Sequence, residues 1–443
     1  MRRVVLQSLI LLAFAGPAAA TTKVPIGSDL KFIEAQAQKT AASLQPGAYP
    51  RSGGQTGTWK TVTASDWTSG FFPGELWLLY QATGSATWRN DAQAWTAPLV
   101  SQATRTDTPD IGFMIGESFG NGYRLTGEAA YKTEILTAAA SLATRFNPTV
   151  GAFRSRDFGP WSFPVIIDNM PSLGPLQWGA ANGGAAAWGA EAATHAQTTL
   201  TYMVRGDGST DQLANFDPTT GAFLYYDSTG GLSPSSTWSR GQAWGLLGFA
   251  QAYAVTRNPA DLAAAEHIAG FFFGHLPSDY VPYWDFNATV TPTTPRDTSA
   301  AAIGADGLVM LSYLAATSGQ RNTYLAESED ILGSLSAAYL APSSSEAVLI
   351  DGSGDVPKNS EIDTSLIYGD YFFTESLLRL RNRLAGRPSW LLYTKGALTI
   401  AAPLASRTAV PEPSAWALMA FGFANLGLAM RRTRRCGLAT APA

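Results

Sequence analysis

From Asp29 to Leu380, apolar residues recur three and four positions apart in many separate segments, while sustained alternation of apolar and polar positions is scarce. The first pattern is the stripe of a packed helix and the second that of a half-buried strand, so the chain reads as mostly helical. Helix starts are predicted near Asp29, Gly70, Thr87, Asp110, Glu128, Leu173, Ala185, Trp238, Ala260, Thr298, Thr323 and Thr364. Most of these helices come in pairs joined by short turns. Several turns carry glycine, at Thr83-Gly84, Thr126-Gly127, Gly183-Gly184 and Ser318-Gly319, where it can close a helix C-terminus. Six hairpins of alanine-rich, lightly charged helices suit a toroid whose inner helices are buried on every side. An α-solenoid is the competing architecture.

Longer connections interrupt the helical rhythm over 147–167, 206–237, 278–297 and 343–363. Chemistry is expected on such loops, because a packed scaffold positions them without constraining their sequence. The run from Gly221 to Tyr226 and that from Ala347 to Ile350 are short enough to be strands.

Composition narrows the possible chemistry. Only 14% of the 443 residues are charged, yet there are 13 tryptophans, which fits either a large apolar core or an aromatic-lined sugar cleft. The single cysteine, Cys436, lies near the end of the chain, so no disulfide, thiol nucleophile or cysteine-held metal is expected in the body. Three histidines and the lack of HExxH, GxSxG and phosphate-loop patterns make metal and serine-nucleophile schemes poor fits, and neither a metal nor a cofactor is expected. The net charge is −4, and removing Arg2, Arg3 and a tail of net +3 from Val410 onward leaves −9 on the body. Nucleic acid is therefore not an expected partner.

The two ends read as export signals. Arg2 and Arg3 precede an apolar stretch from Val4 to Ala15 and then Ala18-Ala19-Ala20, the order of a cleavable secretory signal over residues 1–20. Val410-Pro411-Glu412-Pro413 precedes an apolar run from Ala415 to Met430 and the cluster Arg431, Arg432, Arg434, Arg435. This order resembles the PEP-CTERM sorting signal that an exosortase recognises. The implied organisation is a signal peptide over 1–20, a folded body over 21–400, a linker over 401–409 and a sorting or anchor segment over 410–435, with the body in the cell envelope, at the surface or released. An ordinary C-terminal membrane anchor is the alternative.

With histidine and cysteine chemistry set aside, acid–base work falls to carboxylates. Asp110 precedes Ile111-Gly112-Phe113-Met114, and Asp168 stands in Ile166-Ile167-Asp168-Asn169-Met170, both among apolar neighbours ahead of helical runs. Each could be an N-cap that satisfies free backbone N–H groups. Alternatively, helix starts at one end of a toroid bring two carboxylates to one cleft, where each raises the other's pKa toward that of a general acid. Asp297 and Asp363 fit the capping role better.

The run Thr237-Trp238-Ser239-Arg240-Gly241-Gln242-Ala243-Trp244 sets a guanidinium among indoles, with Arg240 and Trp244 on one helix face. Such a group suits an anionic sugar, though it equally describes a buried cation–π pair. His195 shares a face with Trp188, Ala192, Thr199 and Tyr202, the stripe of a core histidine. Trp67, just ahead of a helix, is placed either to project into a cleft or to pack.

Together the strings DWTSGFFPGELWLLY from Asp66, PDIGFM from Pro109, IIDNM from Ile166, THAQTT from Thr194, VRGDGST from Val204, TWSRGQAWGLLGF from Thr237, RDTSAAAIGADGL from Arg296 and IYGDYFFTESLLRL from Ile367 resemble glycoside hydrolase family 88 in order and spacing. The resemblance implies an all-α (α/α)6 barrel that removes an unsaturated uronyl residue from oligosaccharides left by polysaccharide lyases, without a metal. It further implies that Asp168 is the general acid and base, that Asp110 is its partner, and that Trp67, His195, Arg240 and Trp244, with the adjacent Trp238, border the substrate. The sugar's C4=C5 double bond is a vinyl ether. Protonation at C4, addition of water at C5 and opening of the hemiketal would expel the aglycone.

Two positions depart from the family's pattern. Pro109 stands where a histidine commonly precedes the aspartate, and Gly230 to Ser235 lacks a Gln-Gly often found there. Both bear on which uronide, linkage or sulfation is accepted. An unsaturated rhamnogalacturonyl hydrolase of the same barrel, a non-catalytic glycan-binding protein and a polysaccharide lyase using His195 and Tyr202 are the competing functions.

Overall fold

The computed structural model describes residues 23–53, 57–390 and 397–398; the signal peptide, linker and sorting segment expected at the two ends lie outside them. In chain order the helices are α1 (Ile26–Ser43), α2 (Phe71–Thr83), α3 (Ala86–Thr96), α4 (Ile111–Ile115), α5 (Asn121–Thr126), α6 (Ala129–Ala143) and α7 (Gly174–Ala181). They continue as α8 (Ala187–Met203), α9 (Ser239–Thr256), α10 (Pro259–Gly274), α11 (Thr298–Leu314), α12 (Ser318–Ala338) and α13 (Ile367–Leu384). A widened π turn over Gly116–Gly120 joins α4 and α5 into one rod.

Burial separates two rings of helices. From Ile111 to Gly122 and throughout α11 every residue is buried, and the same holds over Phe71–Leu79 in α2, Ser239–Ala250 in α9 and Ile367–Leu380 in α13. These stretches show no polar stripe because they face neighbours on all sides, which is why their apolar pattern alone places them inside. With α7 they form the inner ring, in which α9 packs on α11, α11 on α13 and α13 on α2. The outer partners α3, α6, α8, α10 and α12 keep polar exposed faces, and α1 covers α13, closing the last hairpin with the first helix. The fold is the (α/α)6 barrel.

The glycine turns act mostly as expected. Gly84 and Gly127 cap α2 and α5 with φ near 70°, a left-handed geometry that glycine adopts without Cβ strain. The exception is Thr317-Ser318-Gly319, which opens a helix. The Thr317 hydroxyl accepts the Gln320 N–H at 3.2 Å and the Gln320 side chain accepts the Thr317 N–H at 3.1 Å. This capping box starts α12 at Ser318, five residues before the expected Thr323.

The long connections lie at the N-terminal ends of the inner helices and carry short strands. β1 (Tyr49–Gly53) pairs with β2 (Trp59–Val62); β3 (Phe146–Asn147) pairs with β4 (Ala152–Phe153). β5 (Phe163–Ile166), β6 (Leu213–Phe216) and β7 (Phe223–Asp227) form an antiparallel sheet in that order, with Phe163 opposite Phe216 and Ile166 opposite Leu213. The expected strand at Gly221–Tyr226 is thus present as β7. Ala347–Ile350 contributes only a single bridge, between Leu349 and Leu340. β8 (Ser365–Leu366) joins the free edge of β1.

Candidate active site

β5 ends at Ile166, and the turn Ile167–Asn169 that follows lifts Asp168 into a cleft of about 360 Å³. Asp110, immediately before α4, lines the same cleft, as do Trp67, Trp238, Arg240 and Trp244. Four loop or helix-start segments, far apart in sequence, therefore meet at one end of the barrel.

The capping role fails for both aspartates. The Asp110 side chain accepts no bond from the helix it precedes, and Asp168 lies inside its turn rather than ahead of a helix. Asp110 is half-buried and its Oδ2 accepts a hydrogen bond from the Thr108 hydroxyl at 2.9 Å. Asp168 is also half-buried, but its Oδ1 is shielded from solvent and has no partner. Burial pushes the Asp168 carboxyl up to about 7, helped by the Asp110 charge and opposed by Arg156 and Arg240. Burial also raises Asp110, against the Thr108 hydroxyl, Arg156 and Arg145. Asp168 Oδ1 is closed off without a donor whereas Asp110 Oδ2 has one, which is how two like groups in one site are given different protonation states.

Asp297 does cap a helix, accepting N–H bonds from Ser299 and Ala300 at the start of α11. Asp363 does not: no helix begins there, and its φ is 48°.

Arg240 is largely engaged by protein. Its Nη1 donates to Asp297 Oδ2 at 2.9 Å and to the Ser353 carbonyl, and its Nη2 donates to the Gly354 carbonyl at 2.6 Å. Its plane lies over Trp238 at 4.4 Å and Tyr368 at 5.2 Å. Arg240 thus ties α9 to the 351–363 loop, and the cation–π partner is Trp238 rather than Trp244. Trp244 is 1% exposed and packs on Phe113 and Phe372, forming the floor. Trp67 is half-buried, its ring 4.9 Å from that of Tyr368, and makes one wall.

His195, expected at the substrate, is not in the cleft. It is fully buried in α8, its Nδ1 accepts the Phe153 N–H at 3.1 Å, and Nε2 lies 3.4 Å from the Thr199 hydroxyl. Burial holds its pKa down at about 3, so it stays neutral. It props β4 beneath the Asp168 loop, which is the core reading of its stripe.

The 351–363 loop forms the opposite rim. Asp351, Asn359, Glu361 and Asp363 hold φ between 48° and 57°. Glu361 binds Arg51 through two contacts of 2.7 and 3.1 Å, and Arg51 also reaches Asp66 at 2.7 Å, bracing the rim against β1 and the Trp67 turn.

Gln212 and Arg156 are among the cleft residues that the sequence reading does not single out. Gln212 immediately precedes β6, and its Oε1 accepts from the Ser228 hydroxyl at 2.5 Å and from the N–H groups of Thr229 and Gly230 at 2.6 and 2.8 Å. Arg156 sits in the 147–167 connection, where chemistry is expected, but a loop arginine has no periodicity to single it out. Among the described residues no group of three or more His, Cys, Asp or Glu is arranged to hold a metal ion.

No protein-family model matches the chain. The chain is 41% identical to an unsaturated glucuronyl hydrolase of Formosa agariphila over 72% of its length and 81% of the relative's. Among solved structures, an unsaturated glucuronyl hydrolase specific for heparin is 38% identical with a TM-score of 0.79, covering 83% of this chain and 99% of that one. A mutant Streptococcus agalactiae enzyme of the same name, complexed with dGlcA-GalNAc6S, is 26% identical with a TM-score of 0.72, covering 84% and 94%.

Proposed function

The chain belongs to the unsaturated glucuronyl hydrolases, and we propose on that basis that Asp168 and Asp110 carry its reaction. It is a glycoside hydrolase that removes the unsaturated uronyl residue from the end of an oligosaccharide. Asp168, neutral up to about pH 7, donates its proton to C4 of the vinyl ether. Positive charge develops at C5 and the ring oxygen, where the Asp110 carboxylate stabilises it. Asp168, now a carboxylate, takes a proton from the water that adds at C5. The hemiketal then opens and releases the aglycone. Since no nucleophile attacks an anomeric carbon, the carboxylate separation that sorts retaining from inverting glycosidases does not apply.

The observation that carries this reading is the shared cleft in which Asp168 Oδ1 is buried without a donor and Asp110 Oδ2 has one. Ultraviolet absorbance of the conjugated double bond, followed with unsaturated disaccharides from heparin and chondroitin, tests it. The wild-type enzyme should consume the absorbance, and Asp168→Asn should lower the rate by roughly 10²–10⁴-fold while still binding substrate. An Asp168→Asn variant with the wild-type rate would overturn the assignment, and a rise in absorbance on intact polymer would indicate a lyase. The relatives described above are unsaturated glucuronyl hydrolases, so the rhamnogalacturonyl and non-catalytic alternatives gain no support.

For the ends of the chain, the reading is export. Residues 1–20 would direct secretion, and 410–435 would be the PEP-CTERM segment processed by an exosortase, leaving the enzyme in the envelope, at the surface or released. Its support is the order of charged, apolar and Pro-Glu-Pro residues. Fractionation of cells making the full chain should place it outside the cytoplasm, and removing 410–443 should release it to the medium. Retention in the cytoplasm would refute this.

A further inference from the structure

Four cations line the cleft: Arg51, Arg156, Arg240 and Lys358. Three are neutralised by carboxylates. Arg51 is bound by Glu361 and Asp66, Arg240 by Asp297, and Lys358 by Asp355 at 2.6 Å. Arg156 alone of the four has no carboxylate partner within the described residues. Its Nη1 donates to the Thr229 hydroxyl at 3.1 Å, and that is its one side-chain hydrogen bond.

What holds Arg156 in place is the flat of its guanidinium. The group lies 5.8 Å from the Phe158 ring and 5.9 Å from the Trp161 ring. Trp161 is itself fixed by its Nε1, which donates to Asp227 Oδ2 at 2.8 Å. Gly159 makes the bend, with φ of 93° and no room for a Cβ, which would stand 2.3 Å from the Trp161 ring. An arginine held by its faces keeps its edge donors free, and those are the donors that match a carboxylate bidentately.

Arg156 also lines the same cleft as the reacting pair. After burial, which raises both aspartates, it is the strongest opposing charge at Asp168, ahead of Arg240, and it acts on Asp110 as well. The substrate's carboxylate is borne on C5, next to the C4 that receives the proton. A cation acting on Asp168 from the same cleft is therefore placed beside that carboxylate. Without one, the sugar would bring a third negative charge into a cleft that already holds two aspartates.

We infer that Arg156 is the anion receptor of the cleft and holds the carboxylate of the unsaturated uronyl ring, an inference that rests on the activity proposed above. Phe158, 71% exposed beside it, forms the outer edge of this receptor.

The test compares wild type, Arg156→Gln and Arg156→Lys on an unsaturated disaccharide and on its uronate methyl ester. A charge-assisted pair of this kind is worth roughly 10- to 100-fold in binding. Wild type should lose that factor on the ester. Arg156→Gln should lose it on the free acid, chiefly in KM, and lose nothing further on the ester, while Arg156→Lys recovers part of it. Removing the opposing cation should also move the alkaline limb of the free enzyme's pH–rate profile upward, a change that a merely structural loop residue would not cause. Equal losses on acid and ester, or an unchanged Arg156→Gln, overturn the inference. Loss confined to sulfated disaccharides also overturns it, assigning Arg156 to a sulfate of the aglycone. A wild-type enzyme inactive on every substrate would instead refute the proposed reaction, so the two failures are distinct.

Discussion

Asp110 and Asp168 differ in what surrounds their oxygens more than in where they stand. The Thr108 hydroxyl serves Asp110, while Asp168 Oδ1 is closed off without a donor. The pH dependence follows with a definite sign. Asp168 holds its proton below about pH 7 and releases it above, so kcat/KM should fall about tenfold per pH unit on the alkaline side of that value. Asp110→Asn removes a charge that raises Asp168, so in this variant the residual activity should show its alkaline limb at lower pH. A pH–rate series on both proteins checks this, and an unmoved limb would show that the two carboxyls are not coupled. At this scale the sequence was legible where chemistry and patterning coincide. Aspartates in apolar surroundings were visible, whereas Arg156 and Gln212 draw their meaning from loops that meet only in the fold.

The elements that bring these residues together touch closely. A Cβ on Gly112 in α4 would stand 2.4 Å from the Ser172 carbonyl oxygen, in the turn just after Asp168. Gly112→Ala must therefore push the Asp110 and Asp168 segments apart. Turnover should drop at least tenfold, and the melting midpoint should fall with it; an alanine variant of normal activity would mean that the two segments move independently. Helix positions were readable because the inner helices are apolar all round and the outer ones striped. The start of α12 was misplaced because its threonine–glycine turn is a capping box, a reciprocal side-chain arrangement that looks like a helix stop in sequence. His195 was drawn toward the site by its motif, though its stripe described the buried α8 position it occupies.

Across the whole molecule, the barrel closes on a buried ionic cluster about 18 Å along α13 from its start. Arg379 contacts Asp306 at 3.2 Å and Glu375 at 2.9 Å, with all three side chains inaccessible to solvent. Removing only the cation would strand two buried carboxylates, so Arg379→Met should destabilise the barrel by about 3–5 kcal/mol, read by denaturant unfolding. A loss below about 1 kcal/mol would show that the carboxylates neutralise themselves by taking up protons. Nothing in the sequence announced this cluster, because its members lie on α11 and α13 as isolated charges in apolar runs. At the other end, the rim from Asp351 to Asp363 holds four non-glycine residues in left-handed geometry, each at a cost of about 1 kcal/mol or more. Arg51 and Arg240 keep it there. Its conformational entropy is thus surrendered during folding rather than on encounter with a sugar. Substrate capture should therefore proceed at a rate set by diffusion and charge, with a heat-capacity change that reflects only the buried ring surface.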